Sequence, residues 1–90
     1  MSVSAVVEVC NQRGLHARAS ARFVKLAGSF DAVVRVSKDD QTVDAQSIMG
    51  LMMLAAGPGS TIEKSAEGRQ AKAALEALKR LVENRFEEEW

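Results

Sequence analysis

Within the first nine residues Val3, Ala5, Val7 and Val9 fall at every second position, with Ser4, Val6 and Glu8 between them. A period of two is that of a β-strand with one buried face. Asn11 to Gly14 breaks the alternation, and from about His16 to Ala27 the apolar spacing becomes helical. Ala19, Phe23, Leu26 and Ala27 share a stripe, Arg18, Arg22 and Lys25 fall elsewhere, and Gly28 follows as a stop. Ala32, Val34 and Val36 then alternate with Val33, Arg35 and Ser37 as a second strand. Lys38-Asp39-Asp40-Gln41 is a polar turn and Thr42 to Ala45 a short third strand, so the two strands predict a hairpin. Ser47 to Ala56 is apolar and rich in methionine, which predicts a short helix ended by Gly57-Pro58-Gly59. Thr61, Glu63 and Ser65 alternate with Ile62, Lys64 and Ala66 in a fourth strand, where Lys64 is expected to lay its apolar stem inward near the sheet edge. The clearest helix comes last: Ala71, Ala74, Leu75, Leu78, Leu81 and Val82 recur at helical spacing between about Arg69 and Arg85. The acidic tail over 87–90, Glu87-Glu88-Glu89-Trp90, is expected to fray.

The order is therefore β-α-β-β-α-β-α, with each strand apolar on one face only. This predicts an α/β open-faced sandwich, a four-stranded antiparallel sheet with three helices on one face and the other face wet. Ninety residues make one domain over 1–90. A chain this short buries roughly 60% of the surface it exposes unfolded and cannot enclose a deep cavity. Chemistry belongs on its surface, where a partner protein is a better match than a buried small molecule.

Charge and composition remove further classes. The formal net charge is +0 and only 4% of residues are aromatic, so neither the basic excess nor the stacking side chains of a nucleic-acid module are present. No stretch approaches the ~20 apolar residues of a membrane span. The start MSVSAVVEV lacks the basic n-region and long apolar run of a signal peptide. Cys10 is the single cysteine, with no second Cys or His at ligand spacing, so no metal site is expected. These features point to a cytoplasmic protein. Cys10 is expected to pack as a small residue at a strand end, and Phe23, Phe30 and Phe86 to pack as well.

His16 is the only histidine, and it stands where a glycine-containing turn meets a helix. Backbone N–H groups of a first helical turn have no internal partner and, with the helix dipole, form an anion site. An imidazole placed there can attack a phosphoryl group while those N–H groups receive its oxygens. Arg18 adds a guanidinium suited to phosphate. Between Glu8 and Asp31 the chain has no carboxylate but carries Arg13, Arg18, Arg22 and Lys25. A neutral chain has gathered positive charge around its one histidine, which favours an anionic group or an acidic partner surface.

Gly14-Leu15-His16-Ala17-Arg18 resembles the phosphorylation motif of HPr, the histidine phosphocarrier family of the phosphoenolpyruvate-dependent phosphotransferase system. Val43-Asp44-Ala45-Gln46-Ser47-Ile48-Met49-Gly50-Leu51 resembles the family's second signature, at fitting distance from the first. The likeness covers nearly the whole chain, including its element order. It implies that His16 takes phosphate through Nδ1 from phosphorylated Enzyme I and passes it to a IIA-type domain. Arg18 and the first-turn residues Ala17 and Ala19 would hold the phosphoryl group. Such a protein is a monomer and a regenerated intermediate, not a stand-alone enzyme, and needs no cofactor. The sequence departs from the family where Ala19 stands in place of a common proline, which loosens the helix start and restores one N–H.

Ser47 has a structural reading as the N-cap of the short helix. The resemblance adds regulatory phosphorylation there by HPr kinase/phosphorylase. Of the apolar residues that follow, most are expected in the core, with Ile48, Met49 and Met52 left as an exposed docking patch. The residues leave two rivals: a carrier of a nitrogen-regulatory, NPr-like branch, and a non-catalytic interaction module acting through Ser47 and its apolar helix.

Overall fold

The computed structural model, which describes residues 2–54 and 56–87, has one antiparallel sheet of four strands. Strand β1 (Ser2–Glu8) pairs along its whole length with β4 (Thr61–Glu67), from Ser2 opposite Glu67 to Glu8 opposite Thr61. On its other side β4 pairs with β2 (Val33–Lys38), and β2 pairs with β3 (Gln41–Asp44), so the order is β1-β4-β2-β3. The alternation seen in the sequence sets the faces: Val7, Val34, Val36, Ile62 and Ala66 are buried, while Glu8, Val33, Arg35, Glu63 and Glu67 lie exposed.

Three helices cover the buried face: α1 (Ala17–Ala27), α2 (Ile48–Met53) and α3 (Ala71–Glu83). The open-faced α/β sandwich is thus the observed fold. All six apolar residues predicted on the inner face of α3 are buried there. Phe23 of α1 and Phe86, just beyond α3, are fully buried in the same core, and Phe30 packs against it half-buried. In α1 Ser20 takes a buried place, while Leu26 is only half-buried. The short helix ends at Met53, and Ala55 falls outside the described residues.

Three expectations need correction. Lys64 is not near an edge: β4 is interior, and the side chain is 0% exposed. Sequence alternation reveals which face a residue occupies but not where its strand sits in the sheet. Cys10 is exposed instead of packed, with its thiol 3.4 Å from the Val82 carbonyl and 3.6 Å from that of Glu83, at the end of α3. The last helix stops at Glu83, and Arg85, Phe86 and Glu87 form a single turn with φ of 57°, 55° and 66°. Left-handed backbone costs such residues roughly 1–2 kcal/mol each; burial of Phe86 and the hydrogen bond from the Arg22 guanidinium to its carbonyl oppose that cost. The Glu87 N–H donates to the Asn84 carbonyl at 3.0 Å. The rest of the expected tail, Glu88 to Trp90, lies outside the described residues.

Among the described residues Lys64 is the one charged side chain in the core, and its ammonium donates to the Leu75 carbonyl at 3.5 Å. Burial, and secondarily the Lys79 charge, lower its pKa from 10.5 to about 8 against the opposing pull of Glu83 and Glu76. The folded state therefore releases this proton at lower pH than the unfolded chain. The charge penalty acts in full below about pH 8 and is relieved as pH rises toward 10.5. Urea denaturation should show Lys64→Met more stable than the parent at pH 7, by an amount on the order of 3 kcal/mol. The advantage should shrink steadily when the measurement is repeated up to pH 10.

Candidate functional site

The turn before α1 is fixed by its own polar groups. Asn11, fully buried, donates from Nδ2 to the Gly14 carbonyl at 2.9 Å, and the Gly14 N–H returns to the Asn11 carbonyl at 3.2 Å. Gly14 has φ +62°, and a Cβ there would lie 2.1 Å from the Ala56 carbonyl oxygen. That close approach lets the next N–H, of Leu15, donate to the same oxygen at 2.9 Å. Leu15 is buried, and buried Ser20 reaches back from α1 to its carbonyl at 3.2 Å. Asn11 and Ser20 thus position the site, a role the sequence reading missed. The asparagine three residues before a glycine was the available signal for the first.

His16 follows as the N-cap of α1, with φ −77° and ψ −178°. Its backbone carbonyl accepts from the Ser20 N–H at 2.8 Å, opening the helix. Its ring accepts at Nδ1 from the Arg18 N–H, at 3.3 Å. In that contact Nδ1 presents its lone pair to the helix start. The imidazole is half-buried, and the Ala17 and Arg18 side chains are exposed beside it. Ala19 is fully buried, so it can offer the site only its backbone N–H. The first-turn N–H groups of Ala17, Arg18 and Ala19 have no helical carbonyl before them. The structure therefore brings His16, Ala17, Arg18 and Ala19 together at one helix start. Of the basic residues nearby, Arg13, Arg18 and Lys25 are exposed, whereas Arg22 is committed to the Phe86 carbonyl.

Ser47 caps α2 as expected, its Oγ accepting from the Gly50 N–H at 2.9 Å. It is not beside His16. The Gln46 side chain lies against Gly28, at the C-terminal end of α1, whereas Ala56 beyond α2 meets Leu15 at the other end. Helix α2 thus runs antiparallel to α1, and the two serine and histidine sites are separated by about the 16 Å length of eleven helical residues. Between them α2 exposes Ile48 (39%), Met49 (70%), Met52 (40%) and Met53 (70%). The three predicted docking residues are exposed, but so is Met53. Only Leu51 and Leu54 of the six apolar residues are buried, reversing the expectation that most lie in the core. A helix of six residues on the sheet's margin has too little inward surface to bury more.

Among the described residues no three His, Cys, Asp or Glu side chains are grouped as a metal would require, and no helix is long and apolar enough to cross a membrane.

Comparison with known proteins agrees with this geometry. A family model described as the PTS HPr component phosphorylation site matches residues 3–84. The phosphocarrier protein HPr of Cupriavidus necator is 50% identical over 80 residues, covering 89% of this chain and 90% of that protein. The phosphocarrier protein NPr of Shewanella violacea is 42% identical over 82 residues, with 91% and 90% covered. Among solved structures, HPr-C-His from Thermoanaerobacter tengcongensis superimposes with a TM-score of 0.92 at 41% identity, covering 98% of this chain and 99% of that one.

Two substitutions test how the site is held. Gly14→Ala should lower stability by at least ~2 kcal/mol, because left-handed backbone and a backbone clash coincide; it should also move the amide resonances of residues 15–20. Ser47→Ala should cost ~1 kcal/mol, the usual worth of an N-cap, and leave those resonances in place. Urea denaturation and two-dimensional NMR read both.

Proposed function

The chain belongs to the HPr/NPr family of phosphotransfer proteins, and from that footing we propose that it carries a phosphoryl group on His16 between phosphorylated Enzyme I and a IIA-type domain. The observation that carries this reading is the aim of Nδ1. The lone pair that would attack phosphorus already faces the N–H of Arg18 at the start of α1.

The step is an in-line displacement between two imidazoles. Nδ1 of His16 forms the new N–P bond as the donor's N–P bond breaks, and the donor ring leaves with that electron pair. The Arg18 N–H then passes from Nδ1 to a phosphoryl oxygen, joined by the N–H groups of Ala17 and Ala19. Arg18 supplies a guanidinium on the solvent side. No proton has to be moved by the protein, so placement and charge do the catalysis. Transfer onward repeats the exchange with an acceptor histidine. In this reading the carrier is regenerated each cycle, works in the cytoplasm as a monomer and takes no cofactor.

The apolar side chains of α2 suit a partner surface, since methionine adapts to more than one shape. Phosphorylation of Ser47 by HPr kinase/phosphorylase would be tolerated by the helix start that it caps. At about 16 Å from His16 it would act on the partner, not on the imidazole. Relatives named HPr and NPr share this chemistry, so the sugar or nitrogen-regulatory branch is decided by which IIA domains accept the phosphate.

Incubation with phosphoenolpyruvate and Enzyme I should add one acid-labile phosphoryl group, absent in His16→Ala. Ala19→Pro should change the transfer rate by less than about tenfold, or ~1.4 kcal/mol. Ser47→Asp should slow transfer while thermal unfolding is unchanged. A protein that stays unphosphorylated with an active, matched Enzyme I overturns the reading in favour of an interaction module acting through Ser47 and α2.

A further inference from the structure

Among the described residues strand β1 has a strand neighbour on one side only. Its other edge presents backbone N–H and C=O groups in the pattern that a further strand would pair with. Beside that edge, α3 leaves a groove of about 460 Å³. Val3, Ala5 and Leu75 form its apolar floor, and Arg69, Lys72 and Lys79 stand along its rim, with Glu76 the single carboxylate among them. Arg69 is 3.5 Å from Asp31 at an exposed site, whereas among the described residues Lys72 and Lys79 have no carboxylate within 4.0 Å. Beneath the floor, the Lys64 ammonium sits against the Leu75 carbonyl. The groove is therefore positive above and below an apolar base.

We propose that this groove binds an extended acidic segment of a partner protein, added to the sheet as a fifth strand along β1. Strand addition supplies main-chain hydrogen bonds, while alternate side chains about 6.6 Å apart supply selectivity. The residues at every second position of the segment would face α3: a small apolar one resting on Val3 and Ala5, and carboxylates two residues to either side of it meeting Lys72 and Lys79. Charge also decides against a second copy of this chain as the occupant, because a twofold pairing of β1 with β1 would set two such basic rims against each other. The groove lies along the half of β1 remote from the turn leading to His16. A bound segment would leave that histidine and α2 uncovered, so the inference does not depend on the phosphotransfer reading.

The probe is a fluorescein-labelled heptapeptide, Ser-Glu-Ser-Val-Ser-Glu-Ser, whose two glutamates and valine share one face of a strand, titrated with the full chain and read by anisotropy. Three controls accompany it: the same peptide with lysine for glutamate, the acidic peptide N-methylated at alternate residues, and the double variant Lys72→Glu, Lys79→Glu. The expected result is saturable one-to-one binding with a Kd of tens of micromolar, roughly −6 kcal/mol. It should weaken at least about tenfold in each control, equivalent to ~1.4 kcal/mol. Amide shift changes should fall on residues 3–7 and 69–79. Undiminished binding of the N-methylated peptide, equal binding of the lysine peptide, shift changes centred on residues 13–19, self-association of the chain through β1, or no saturation would each overturn the proposal. Both lysines are exposed on α3, and a single cooperative thermal unfolding transition with an unchanged amide spectrum outside residues 69–79 establishes that the variant is folded.

Discussion

A backbone contact rather than a side chain sets the position of His16. Gly14 passes so near the Ala56 carbonyl that no Cβ fits between them, and Leu15 donates to that same oxygen. The contact ties the turn after β1 to the segment after α2, two stretches about forty residues apart. Everything downstream follows from it. Leu15 is carried into the core, the chain emerges at His16 in extended conformation, and α1 starts there with the imidazole as its cap. Removing side chains around the site would change its charge; displacing this contact would change where the site is.

The antiparallel course of α1 and α2 gives the surface its layout. The helix start with His16 and the helix start with Ser47 lie at opposite ends of one two-helix layer, with exposed isoleucine and methionine side chains between them. A partner large enough to reach the histidine and rest on those side chains would also cover the serine. A charge placed at Ser47 would meet such a partner directly, with no conformational relay between the two helices.

Much of this was legible in the residues. The period of two and the stripe on α3 depend on local spacing, so the elements and their inner faces could be read directly. His16 and Ser47 could be read as helix starts because capping is also local. What escaped was set by distant neighbours. Lys64 looks like a rim lysine until β4 is found between β1 and β2. Cys10 looks like a packing residue until the end of α3 proves to lie at the surface there. Arg22 looks like one more free cation near the histidine until Phe86 turns back through left-handed backbone to meet it. Met53 looks like core until α2 proves too short to bury it.

The pairing of β1 with β4 also orders events in time. Among the described strands Ser2 to Glu8 pairs with Thr61 to Glu67 alone, so β1 must wait for β4 to be made before it can join the sheet. The Gly59 and Ser60 backbone that fastens Val9 belongs to the same late segment. Contacts this remote in the chain slow folding. They also mean that the residues around His16 are not held in this arrangement until the segment that ends at β4 has followed them. A nascent chain carries the motif, but only a finished one carries the site.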